Sequence, residues 1–110
     1  MKINLEAGPA CDLSALTPSQ RQRHEALLRE LFNGVKGVHE TPDGFSFEVL
    51  RSEERITRIV EWITLESLCC PFFSFRIDWK QGSELAEVTV SGPGGSKALL
   101  AGYLNIPTVD

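Results

Sequence analysis

The chain has 110 residues, 42% of them hydrophobic, and 15 acidic against 11 basic residues give a formal net charge of −4. A chain of this size buries roughly 60–70% of its unfolded surface, which is material for one domain with one two-layer core. The acidic balance excludes binders of nucleic acid or anionic membrane, since both need a field of Lys and Arg; three cysteines are too few, and odd in number, for a secreted disulfide scaffold.

Residues 1–16 contain Gly8-Pro9 and no sustained period, so they read as an N-terminal arm, with 17–110 as a single α+β domain. The first residues carry no apolar run of signal-peptide length, and charge interrupts every later apolar stretch. The expected setting is the cytoplasm, without membrane contact, where thiols stay reduced and a Cys-Cys pair acts as thiols rather than as a disulfide. Thr17-Pro18-Ser19-Gln20 starts a helix: Thr17 caps, Pro18 sits where no N–H is needed and Gln20 completes a capping box. His24, Leu27, Leu28, Leu31 and Phe32 form its apolar face, Arg21, Glu25 and Arg29 its solvated one, and Asn33-Gly34 ends it.

Residues 35–40 and 45–50 are strand-like runs around Thr41-Pro42-Asp43-Gly44, the composition of a type I turn, and make a hairpin. Ser52 followed by Glu53-Glu54 caps a second helix with a stripe of Ile56, Ile59, Val60 and Ile63, which runs to about Cys70, where Pro71 disfavours helical geometry. In 73–80 the alternation is strict, with Phe73, Phe75, Ile77 and Trp79 on one face. After Gln81-Gly82-Ser83 the run 84–91 turns Ala86, Val88 and Val90 inward, which makes a second hairpin. Glycines and Pro93 then lead into a last helix from Lys97 to about Leu104. The expected fold is α+β in the order α-ββ-α-ββ-α, a four-stranded antiparallel sheet of two hairpins packed on helices in two layers.

The residues with most chemistry in them are Glu66-Ser67-Leu68-Cys69-Cys70-Pro71. Glu66 precedes Cys69 by three and Cys70 by four, so on a helix its carboxylate shares a patch with both thiols. Thiolates prefer soft ions such as zinc, copper(I) or mercury, and a carboxylate adds a harder ligand; a thiol pair also captures trivalent arsenic or a redox partner. The partial negative charge at a helix C-terminus raises a thiol's pKa, which favours cation binding over nucleophilic catalysis. Cysteine is also among the most buried residue types, and Leu68, Phe72 and Phe73 point this segment at the core, so simple packing competes with the metal reading. Cys11 would give a third thiolate if the arm folds back across the end of this helix.

The chain resembles a family of small, largely uncharacterised bacterial proteins with an N-terminal Cys-x-Leu segment, an Asp-Gly-(Phe/Tyr)-x-Phe hairpin, a Glu-x-x-Cys-Cys-Pro-Phe stretch and a terminal Gly-Pro-x-Gly turn. Here they are Cys11-Asp12-Leu13, Asp43-Gly44-Phe45-Ser46-Phe47, Glu66 to Phe72 and Gly92-Pro93-Gly94-Gly95, in the same order over nearly the whole chain. Ser67 stands where similar proteins often have Arg, and Ser14 where Thr is common. The resemblance implies an association with metal handling and brings Cys11 to the pair, for a metal site of Cys11, Glu66, Cys69 and Cys70.

Other motifs carry less. The glycines of 92–97 are too few for a Walker A loop and sit in an antiparallel pattern, so they make a turn. His24 and His39 lack ligand-spaced partners and read as structural, there is no G-x-S-x-G elbow, and Arg51, Arg55 and Arg58 with Glu54 and Glu61 read as a salt-linked helix face. Two functions compete: binding of a soft metal ion or small thiophilic ligand, in resistance or sensing, and a non-catalytic interaction module that forms a homodimer through the aromatic strand 73–79 or an edge strand of the sheet and keeps its cysteines structural. A thiol enzyme ranks last, because no histidine is placed by sequence beside the pair.

Overall fold

Short-range chemistry starts the helices. The Gln20 N–H donates to Thr17 Oγ1 at 3.1 Å and the Thr17 N–H to Gln20 Oε1 at 2.8 Å, a reciprocal capping box. Ser52 Oγ accepts from the Arg55 N–H in the same role. The computed structural model describes residues 11–32 and 36–103. A single 3-10 turn (Leu13–Ala15) precedes α1 (Pro18–Phe32), β1 (Lys36–Thr41), β2 (Gly44–Leu50), α2 (Glu53–Cys69), β3 (Ser74–Asp78), β4 (Leu85–Ser91) and α3 (Ser96–Tyr103). Asn33-Gly34, Val35, Leu104 and the first ten residues, with the signal-peptide reading and the first part of the arm, lie outside the described residues, whereas residues 11–16 of the arm are described.

The fold is α+β in the expected α-ββ-α-ββ-α order, with one antiparallel sheet of strand order β1-β2-β4-β3. The two hairpins therefore join through β2 and β4, which pair from Gly44↔Ser91 to Leu50↔Leu85. Phe45, Phe47 and Val49 share a face with Val90, Val88 and Ala86, and this face is buried. Rings tie it to the helices: Phe32 of α1 stacks edge-on against Phe47 and against Trp62 of α2, and Trp62 against Phe75 of β3. Leu100 and Ala101 of α3 complete the same core. Gly44 is required by packing, because a Cβ there would run into the Val90 carbonyl of the adjacent strand.

The structure differs from the periodicity reading at several places. Val60 is 48% exposed, and the buried stripe of α2 runs through Ile56, Ile59, Trp62, Leu65, Glu66 and Cys69 instead. Val60 lies about 100° round the helix from Ile59, beyond the reach of the sheet. β3 stops at Asp78, and Trp79 is outside it and half exposed. Arg51 explains the early end: it precedes α2, so it is not on that helix's face, and its guanidinium donates to the Lys80 and Ser83 carbonyls while lying 5.3 Å over the Trp79 ring. Glu61 pairs with Arg23 of α1 rather than with Arg58, which bridges to Glu30 and Glu54. Exposed pairs of this kind contribute at most about 1 kcal/mol each. Their consequence is orientation, since Arg23–Glu61 and Arg58–Glu30 both fix which face of α1 meets α2.

Candidate functional site

With α1 and α2 held in that orientation, the polar residue on each apolar face meets the other. His24 sits among Leu27 and Leu31 on the buried side of α1, and Glu66 follows Ile59 and Trp62 on the buried side of α2. His24 Nε2 lies 2.7 Å from Glu66 Oε1, with both side chains almost wholly shielded from solvent. A buried polar group needs such a partner, so two residues that would each destabilise the core alone are acceptable together. Glu66 is thus a core residue and not part of a surface patch.

The end of α2 brings in the sulfurs. Cys70 terminates the helix, its N–H still donating to the Glu66 carbonyl at 2.7 Å. The Cys69 carbonyl, one of the acceptors a helix end leaves without an internal donor, accepts from the Asp12 N–H at 2.8 Å. That contact docks the N-terminal segment across the helix end, where Leu16 is buried in the core and Cys11 packs against it. Cys11 and Cys70 are joined in a disulfide. Cys69 remains a buried free thiol, its Sγ 3.6 Å from Cys70 Sγ and within reach of the Glu66 carbonyl.

Two expectations are corrected here. The adjacent cysteines are not a pair of thiols: Cys70 is oxidised, and its partner is Cys11, 59 positions away. Cys69 and Cys70 are also fully buried, as the competing packing reading has it, so the patch they share with Glu66 lies in the core and not on the helix surface, although Leu68 beside them is exposed. Burial pushes the Cys69 thiol up to about 11, and the negative charge of Glu66 adds to the shift. The sequence argument reached the same direction through the helix dipole, but desolvation is the larger cause.

All four sequence-predicted residues, Cys11, Glu66, Cys69 and Cys70, converge at this helix end. Two donor sets in it are close enough to hold a metal ion: Cys11, Glu66 and Cys70, and His24, Glu66 and Cys69, the ligand atoms of each lying within 4.8 Å of one another. Glu66 belongs to both. His24 is the residue that sequence reasoning missed. Its signal was a polar residue on the apolar stripe of one helix, matched by an acid on the apolar stripe of the next. Beside it a cleft of about 220 Å³ is lined by Leu13, Arg21, His24, Glu25 and Leu28, between the N-terminal turn and α1.

Chemically, the arrangement has two forms. Oxidised, it is a cross-link with one buried thiol against it. Reduction would free Cys11 and Cys70 as thiols in addition to Cys69, near the Glu66 carboxylate and the His24 imidazole. Among the described residues no helix is long and apolar enough to cross a membrane. Comparison with protein-family models, curated proteins and solved structures finds no match for the chain.

Proposed function

We propose that the chain binds a soft metal ion or metalloid through the thiolates of Cys11, Cys69 and Cys70, in resistance or sensing within the cytoplasm. The observation that carries this reading is the docking of Cys11 onto Cys70, with Cys69 Sγ 3.6 Å away. Soft thiolates select soft ions, and three of them on one chain make a chelate where two adjacent ones make a weak pair. Binding requires the reduced form. A thiol reductant supplies it by exchange: two reductant thiols become a disulfide, the Cys11–Cys70 bond breaks, and each sulfur leaves with one proton. Cys11, the one partly exposed member of the trio, is the sulfur an external thiol reaches.

The test compares oxidised and reduced protein in titrations with zinc(II) and mercury(II), followed by alkylation and mass counting. The reading expects reduced protein to take up metal and to lose thiol reactivity in proportion, and oxidised protein to do neither. Full alkylation of reduced protein with no metal uptake would overturn it. That result would leave the second reading, a non-catalytic interaction or homo-oligomerisation module whose cysteines are structural; the complete burial of Cys69 and Cys70 is the observation in favour of that structural role.

A further inference from the structure

We infer that the reduced chain holds a divalent ion of the zinc class between α1 and α2, on His24, Glu66, Cys69 and Cys70. This site goes beyond the three-sulfur reading: it shares two cysteines with that set, adds an imidazole and a carboxylate, and does without Cys11.

Distances select the set. His24, Glu66 and Cys69 offer ligand atoms that all lie within 4.8 Å of one another, and those of Glu66 and Cys70 are equally close. Cys69 Sγ is 3.6 Å from Cys70 Sγ, and His24 Nε2 is 2.7 Å from Glu66 Oε1. Zinc bonds of ~2.0 Å to nitrogen and oxygen and ~2.3 Å to sulfur place the ligand atoms of a tetrahedron about 3.3–3.8 Å apart. The two sulfurs already have that spacing. The imidazole and the carboxylate need to part by only about 0.6 Å for the ion to replace their direct contact.

Donor type decides the class of ion. Nitrogen, oxygen and two thiolates form a mixed set, which suits a borderline ion such as zinc, whereas a very soft ion such as mercury(II) gains little from a carboxylate. Two thiolates balance the two charges of the ion, a neutral His24 adds none, and Glu66 contributes the one remaining negative charge. Position favours the same reading. His24 stands on α1 and the other three at the end of α2, and the Arg23–Glu61 pair next to His24 fixes how the two helices face each other. A cleft of about 220 Å³ reaches His24 from the surface between the N-terminal turn and α1, and gives an ion a path to the buried donors.

The disulfide then acts as a gate. While Cys70 is bonded to Cys11 its sulfur is no thiolate, and three donors remain where a closed zinc site uses four. Exchange with a thiol reductant frees Cys70 and completes the set. Binding itself moves no electrons: Cys69 and Cys70 each release one proton to solvent as the ion exchanges its waters for the four ligands.

The experiment titrates oxidised and reduced protein with cobalt(II), a coloured probe of zinc sites, and displaces it with zinc(II). Reduced wild type should show thiolate-to-cobalt charge transfer and the strong visible bands of a tetrahedral site, and oxidised wild type should bind at least about tenfold more weakly. Reduced Cys11→Ser should bind as reduced wild type does, and reduced His24→Leu with Glu66→Leu, checked for folding by circular dichroism, at least about a hundredfold more weakly. A readout on the wild type needs no variant: Cys11, the partly exposed cysteine, should be alkylated as fast with zinc bound as without. Protection of Cys11 by zinc, equal binding by the oxidised protein, or equal binding by the folded double variant would overturn the inference. Mercury(II) uptake that protects Cys11, with no uptake of cobalt(II) or zinc(II), would overturn it and leave the proposed function standing; uptake of none of the three would overturn both.

Discussion

Reduction of the Cys11–Cys70 bond isolates the contribution of the cross-link from everything else in the fold. The bond closes a loop with a sequence separation of 59, which encloses α1, β1, β2 and all of α2. In the chain-entropy treatment a loop of that length restricts the unfolded ensemble by about 14 cal/mol/K, or about 4 kcal/mol at room temperature. Domains of this size are stable by about 5–15 kcal/mol in total, so the reduced protein should still fold but with roughly a quarter or more of its margin gone. Urea unfolding of both forms, followed by the fluorescence of buried Trp62, measures the difference. With a slope of about 1–3 kcal/mol/M for small domains, the oxidised form should unfold at a midpoint higher by about 1.5–4 M. Its slope should also be shallower, because a cross-linked unfolded chain exposes less surface. Midpoints that agree after free-thiol counting has verified the two redox states would refute the reasoning; the cross-link would then take no conformational freedom from the unfolded chain.

Two other perturbations probe the same helix end. Replacing His24 by Leu leaves the buried Glu66 carboxylate without its 2.7 Å contact, and loss of one member of a buried pair costs about 3–5 kcal/mol. The double variant His24→Leu with Glu66→Leu should recover a large part of that loss in denaturant melts, and a double variant no better than the single one would show that the pair's coupling is negligible. For Cys69, whose thiol is pushed from 9.0 to about 11, the thiolate fraction at pH 8 is about a hundredfold below that of an ordinary thiol. Alkylation of native protein by iodoacetamide at that pH should be slower than in urea by at least this ratio. The same shift sets a sign for stability. Above pH 9 the unfolded chain loses the Cys69 proton while the folded chain keeps it, so stability should fall as pH rises from 9 towards 11. A urea midpoint for the Cys69→Ser variant that falls just as far over that range would remove Cys69 as the cause.

The elements that could be read from the amino-acid order are those whose physics is local. Thr17 and Gln20 cap α1 through atoms three residues apart, Ser52 caps α2 the same way, and the alternation of Ala86, Val88 and Val90 reports one buried face. These interactions depend on neighbours in sequence and need nothing from the rest of the chain. Trp79 and Val60 were harder, because both follow the correct period and yet are exposed. β3 is an edge strand that Arg51 ends by binding the turn beyond it, and Val60 lies just outside the contact with the sheet. Periodicity reports the direction in which a side chain points; whether another element waits there is a separate fact.

The candidate site divides along the same line. Position in the sequence alone put Glu66, Cys69 and Cys70 within one helical turn and made them a plausible ligand group. The sulfur that Cys70 bonds depended on the N-terminal segment crossing the end of α2, where the Asp12 N–H meets the Cys69 carbonyl, more than fifty positions away, and Leu16 enters the core. The partner of Glu66 depended on the rotation of α1 against α2, set by Arg23–Glu61 and Arg58–Glu30 together with the Phe32–Trp62 contact. The sequence by itself determined which residues could take part in thiol and carboxylate chemistry. Only the tertiary structure decided that Cys11 and Cys70 share a bond, that Cys69 stays a buried thiol and that His24 joins them, because each of these is a contact between segments whose separation along the chain carries no information about their distance in space.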